Sequence, residues 1–201
     1  MNFVKLKKNN INEVVKLVVL ALRQEKVVVL PTDTIYGFSC VLSSKDALDR
    51  LGMIKKREKK KPYIVLASDM NMVAELAIIN EKLFSTEKAK NLYEEEPTTL
   101  VFKSRKKSIA KNLGDIGGGT IAIRLPKSDF LIKIISSLKE PITSTSFNLS
   151  GKPSITDLSL IEENYFSGLE PDLLVDAGSL SNNKVSRIID ISGDEIINIR
   201  D

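Results

Sequence analysis

The chain of 201 residues has no histidine, no tryptophan, one cysteine and only 5% aromatic residues. Each shortage narrows the chemistry. Without histidine the usual general base is missing, along with Ser–His and Cys–His nucleophile pairs and most zinc sites. Cys40, being alone, excludes an internal disulfide framework and suits a reducing compartment. No apolar run is long enough to span a bilayer, and no signal peptide is readable. A soluble, cytoplasmic protein with no membrane partner is therefore expected. Lysine, arginine, hydroxyls and carboxylates are what remain for catalysis. That set suits reactions in which the substrate brings its own nucleophile and the protein supplies positioning and positive charge.

What is present is a chain 42% hydrophobic, long enough to bury a real core, and expected to form one domain over 1–201. A net charge of +4 is a mild bias towards anionic partners such as nucleotides or RNA. Apolar residues at helical spacing predict a helix over Ile11–Glu25, and others follow at Ser44–Ile54, Met70–Ala77, Glu81–Tyr93, Ser128–Leu138 and near Leu158–Glu163. Ser44 and Ser128 are the expected caps of two of them. Strands are predicted at Val27–Leu30, Tyr63–Ala67, Thr98–Phe102, Thr120–Arg124, Ile142–Thr145, Leu173–Val175, Val185–Ile191 and Ile196–Ile199. Strands alternate with helices and the last strands follow closely, so the class is α/β with a mixed, twisted sheet flanked by helices.

Four polar stretches interrupt the pattern at strand ends or edges, where ligands of open α/β sheets gather. "PTDTIYGF" (31–38) follows the apolar Val27–Leu30 with two threonines and an aspartate. It offers hydrogen bonds to a small polar ligand, or equally makes a turn. "IKKREKKKPY" (54–63) has six basic residues among the seven of 55–61. Such a run at a helix end favours a phosphate-bearing partner, or forms a solvated terminus. "GGGTIAIRLP" (117–126) puts Arg124 four residues beyond Thr120, on one face of a strand. There an arginine needs an anionic ligand or a structural salt bridge. "TSTSFNLSGKPS" (143–154) is a polar loop whose hydroxyls, amide and backbone N–H groups would suit an oxyanion.

Read in order, "PTDTIYG", "IKKREKKKP", "TIAIRLP", "TSFNLSG" and the terminal "INIRD" resemble the YrdC/TsaC family of threonylcarbamoyl-AMP synthases, from about Val27 to Arg200. The resemblance implies a YrdC-like domain with an open basic concave face. It implies synthesis of threonylcarbamoyl-AMP from L-threonine, bicarbonate or CO2, and ATP, with release of pyrophosphate. The product would serve threonylcarbamoyladenosine modification of tRNA at adenosine 37 by a partner threonylcarbamoyltransferase machinery, with weak RNA contact open. Carried over by position, it assigns threonine to Thr34, Arg124, Ser146 and Ser186. It assigns ATP to Arg57, Lys61, Thr120, Asn148, Thr156 and Arg200, with Lys55, Arg57 and Lys61 as the catalytic cations. Mg²⁺ would ride on the ATP phosphates, with no dedicated protein metal site.

Several positions depart from the family pattern. Lys56 stands where glycine is usual, Arg187 where threonine is common, and "EEEPTTLVF" replaces a tryptophan-proline-glycine-proline stretch. Phe147 replaces a small residue and is expected to narrow the nucleotide cleft. The chain ends at Asp201, which corresponds to the short, single-domain form of the family. Two rival readings stand beside this one: an RNA-binding module without catalysis, and a carbamoyl-adenylate-forming domain like that of hydrogenase-maturation proteins.

Overall fold

Strand pairing organises the computed structural model, which describes residues 1–57, 61–81, 92, 96–114, 119–161, 165–166, 168–180 and 184–201. The strands are β1 (Asn2–Lys5), β2 (Val28–Leu30), β3 (Gly37–Ser39), β4 (Ile64–Leu66), β5 (Ala77–Ile78), β6 (Thr98–Ser104), β7 (Thr120–Arg124), β8 (Ile142–Ser146), β9 (Leu173–Asp176), β10 (Arg187–Asp190) and β11 (Ile197–Arg200). They form one mixed sheet in the order β1-β9-β2-β3-β8-β4-β7-β6-β10-β11, with β5 paired to β6 off that path. The described helices are α1 (Ile11–Arg23), α2 (Lys45–Lys55), α3 (Met70–Leu76), α4 (Lys107–Asn112) and α5 (Asp129–Leu138). This is the expected mixed α/β sheet flanked by helices.

Two apolar layers hold it. On one face α1 supplies Val14, Val18 and Leu22 and α5 supplies Phe130, Leu131 and Ile134, packed on Val28, Leu30, Leu66, Ile142, Leu173 and Val175. Each such side chain, fully buried, contributes roughly 1.5–3 kcal/mol. On the other face Leu48, Leu51 and Ile54 of α2 pack with Val29, Phe38, Val65, Leu100, Phe102, Ile121 and Ile123. The predicted caps form: Ser44 Oγ accepts from Ala47 N at 3.1 Å, and Ser128 Oγ accepts from Leu131 N at 3.4 Å.

The differences from expectation have physical reasons. α1 stops at Arg23 because Glu25 takes a left-handed conformation, φ 58°. β1, β3, β5 and α4 were not expected. They span two to six residues and three of them carry polar residues, too little periodicity to read. A 3₁₀ turn, Leu158–Leu160, opens the stretch near Leu158–Glu163 where a short helix was expected, and 162–163 lie outside the described residues. Most of the predicted Glu81–Tyr93 helix, and 115–118 of the glycine-rich loop, lie outside the described residues.

Candidate functional site

Period-two alternation along β7 sends Ile121 and Ile123 into the core and turns Thr120, Ala122 and Arg124 to the opposite face. Beside Ala122 lie Ile64 of β4 and Val101 of β6. On β4, Leu66 is covered by the α1–α5 layer, while Ile64, two residues earlier on the same face, is only edged by it. Past that edge the face is the floor of a cavity of about 470 Å³. Ile188 and Asp190 of β10 and Ile199 and Arg200 of β11 extend it, and Thr34–Gly37, Ser144–Ser146 and Ser186 wall it. Its described lining holds four cations, Arg57, Lys61, Arg124 and Arg200, against one carboxylate, Asp190.

Arg124 is 4% exposed. Its Nη2 lies 3.1 Å from Asp33 Oδ1, and its Nη1 donates to Thr34 Oγ1 at 2.9 Å. Burial pulls its pKa below the usual arginine range, with Asp33 opposing and Arg200 adding to the shift. Its buried Nε finds no hydrogen-bond partner among the described residues. The salt-bridge reading of Arg124 holds. Arg124 also lines the cavity, so its guanidinium charge makes it a candidate seat for an anion there.

Arg57 lies just past α2. Its Nε donates to Lys61 O at 3.0 Å, Nη2 to Pro62 O at 2.9 Å and Nη1 to Thr145 Oγ1 at 2.9 Å. Its guanidinium carbon sits 4.3 Å from the centroid of the Tyr63 ring. Three of its five N–H groups are thus used, and the residue lines the cavity. Lys61, which also lines the cavity, is followed by Pro62, two residues before β4. Across the floor, Arg200 donates to Ser186 O through Nε at 3.0 Å and Nη2 at 2.6 Å, and Ser186 Oγ lies 2.8 Å from Thr99 Oγ1.

Lys55 is buried and does not line the cavity. Its Nζ donates to Ser146 O, to Asn148 O at 3.0 Å and to Asn148 Oδ1 at 2.6 Å. Burial, and then the charges of Arg57 and Lys61, bring its pKa down to about 7. Ser146 Oγ in turn donates to Asn148 Oδ1 at 2.7 Å. Lys55 therefore fixes the end of β8 from below, and Ser146 is the member of this cluster that reaches the cavity.

Eight of the residues singled out from the sequence line the cavity: Thr34, Arg57, Lys61, Thr120, Arg124, Ser146, Ser186 and Arg200. Asn148 sits behind the wall on Lys55. Thr156 does not line it; its carbonyl accepts from Leu180 N at 3.2 Å. Phe147 does not narrow the cleft: it is fully buried and meets Phe38 edge-on, ring centroids 4.9 Å apart. One residue past Ser146, it falls on the opposite side of the strand end. Sequence reasoning missed Asp33, Thr145, Asp190 and the anchoring role of Tyr36. The Tyr36 hydroxyl donates to Gly178 O at 2.7 Å and accepts from Ala177 N at 2.9 Å. Burial pushes its pKa up to about 12, so it stays a neutral donor.

The model of the Sua5, YciO and YrdC family, described as telomere recombination, matches residues 20–201. The chain belongs to this family. A relative from Methanocaldococcus jannaschii, provisionally named threonylcarbamoyl-AMP synthase, is 31% identical over 177 residues, covering 88% of this chain and 79% of its own. The threonylcarbamoyl-AMP synthase of Vibrio vulnificus is 25% identical over 189 residues, covering 94% of this chain and 97% of its own. The structure of Pyrococcus abyssi Sua5 complexed with L-threonine superposes with a TM-score of 0.81 at 24% identity, over 99% of this chain. This chain spans 56% of that larger protein. The glycine that the resemblance implies at position 56 would have a physical reason. Lys56 ends α2 with φ 51° and ψ 46°, the left-handed region that glycine enters without strain.

Proposed function

We propose that this protein is a threonylcarbamoyl-AMP synthase, condensing L-threonine, bicarbonate or CO2, and ATP into threonylcarbamoyl-AMP and pyrophosphate. The observation that carries the reading is one cavity with two anion seats of different build. At one end the buried Arg124, held by Asp33 and Thr34, lines the cavity and offers its guanidinium charge to a carboxylate. At the other Arg57 and Lys61 stand beside Pro62. Arg124 pairs with Leu66, four residues on from the Pro62 whose carbonyl Arg57 grips, so their backbone anchor points lie about 13 Å apart if the chain between is extended. Between them runs the apolar floor of Ile64, Ala122 and Val101. An amino acid at one seat and a triphosphate at the other fit that span.

The chemistry matches the residues. A carbamate formed on the threonine nitrogen is an anion, and one of its oxygens attacks the α-phosphorus of ATP. The new carbamoyl O–P bond forms as the bond from α-phosphorus to the bridging oxygen breaks, and pyrophosphate leaves with the electron pair. Two anions approach only if their charge is offset, which is the work of Arg57, Lys61 and Arg200. A nucleophile that is already an anion needs no histidine to deprotonate it. Mg²⁺ enters with the MgATP substrate; among the described residues no group of three His, Cys, Asp or Glu side chains stands ready to hold a metal. The product is an activated mixed anhydride, suited to a transferase that would pass the threonylcarbamoyl group to tRNA. With labelled bicarbonate, ATP and threonine, the label should appear in an adenylate only when all three are present. Label incorporated without threonine would refute the assignment.

A further inference from the structure

The loop from Thr32 to Ile35 contains a hydroxyl chain whose proton direction is fixed by its ends. Thr32 Oγ1 donates to Ile35 O at 2.7 Å, and it accepts from Thr34 N at 3.0 Å. A hydroxyl has one proton. Thr32 has spent its proton on the carbonyl, so the 2.8 Å contact between Thr32 Oγ1 and Thr34 Oγ1 must carry the proton of Thr34. Thr34 meanwhile accepts from Arg124 Nη1 at 2.9 Å, and Arg124 is held in place by Asp33. Thr34 is 3% exposed and lines the cavity. Its proton points away from the cavity, and one lone pair is all it has left to offer.

We infer that Thr32, which lies outside the cavity, is a specificity-determining residue: by taking the proton of Thr34 it makes that corner of the pocket an acceptor that reads a hydrogen-bond donor on the ligand. This rests on the proposed function, under which the donor is the hydroxyl of the amino-acid substrate. An amino acid without a donor there leaves the lone pair unmet. One carrying an acceptor in place of the hydroxyl sets two lone pairs face to face and fares worse.

The test uses the full chain, ATP and bicarbonate, with threonine, 2-aminobutyrate and 2-amino-3-fluorobutyrate as probes, and reads kcat/KM for each by pyrophosphate release. The wild type should rank threonine first and the fluoro compound last. Thr32→Val removes the acceptor, frees the Thr34 proton to turn to the ligand, and should narrow the threonine-to-fluoro ratio by about tenfold, the worth of one buried hydrogen bond. Thr32→Ser keeps the hydroxyl and should keep the ranking. KM for ATP should stay unchanged in both, which separates a polarity effect from a collapsed loop. An unchanged ratio in an active Thr32→Val enzyme overturns the inference, as does equal impairment of the serine and valine variants towards every substrate. If the wild type releases pyrophosphate without any amino acid, the functional reading fails and the inference goes with it.

Discussion

Two of the arginines that line the cavity, Arg124 and Arg57, are built differently. Arg124 comes from the middle of a sheet, is almost fully buried and is braced by a carboxylate and a hydroxyl before any ligand arrives. Arg57 follows a helix end, rests on backbone carbonyls and a tyrosine ring, and belongs to a run of basic residues. A preformed seat suits a small ligand of fixed shape, because orientation is settled before binding. A seat of several cations suits a triphosphate, whose charge is spread over many oxygens. Under the proposed function, the amino acid would be recognised by a rigid, preformed seat and the nucleotide by spread charge.

The strongest way to break this comparison is at Arg124. Arg124→Ala removes the carboxylate seat and takes from the buried Asp33 its 3.1 Å contact with the guanidinium, while the Lys127 N–H still donates to Asp33 Oδ2. Losing one partner of a buried pair typically costs about 3–5 kcal/mol of stability. Thermal melting should show that loss, and a folded fraction should show a rise in KM for threonine well beyond that for ATP. Arg124→Lys should recover stability better than activity, since an ammonium cannot copy the two-pronged contact.

Arg57→Ala should show the reverse preference and a smaller effect. Removing one charge-assisted contact is worth about 1.5–3 kcal/mol, so apparent affinity for ATP should fall on the order of tenfold or more while that for threonine holds. If both substitutions weaken the same ligand alone, the two seats are misassigned.

Lys55 sharpens the picture through pH. Its folded pKa, about 7, lies below the ordinary lysine value, so above pH 7 the folded protein has released a proton that the unfolded chain still binds. The penalty of burying the charge is full below pH 7 and is relieved as pH rises towards the ordinary value. The stability of the wild type relative to Lys55→Met should therefore increase from pH 6.5 to pH 9, measured by melting the two side by side. A difference that shrinks over that range would contradict the assignment.

The smallest effect is expected at position 56. Lys56→Gly relieves a left-handed residue and should raise stability by up to about 1 kcal/mol, with substrate constants unchanged.

How much of this was legible beforehand follows from the range of each interaction. That Thr120 and Arg124 share a face followed from the two-residue period of a strand, which is local. So did the capped helices at Ser44 and Ser128. The partner of Arg124 was not legible, because Asp33 and Arg124 are brought together by sheet order, β2 and β7 being separated by three other strands. Lys55 read as another member of a basic run. Its burial against Asn148, 93 positions away, follows from how α2 packs beneath the end of β8. Phe147 was misread because it sits in a polar stretch, whereas the strand's alternation carries over to it and turns it into the core. The proton direction in the Thr32–Thr34 pair needed distances that no sequence pattern contains.

The central claim is that both seats must be filled for turnover, and pyrophosphate release measures that most directly. Purified protein with MgATP should release pyrophosphate when L-threonine and bicarbonate are both supplied, and fall to background when either is withheld. Release at the same rate with ATP alone would contradict the account.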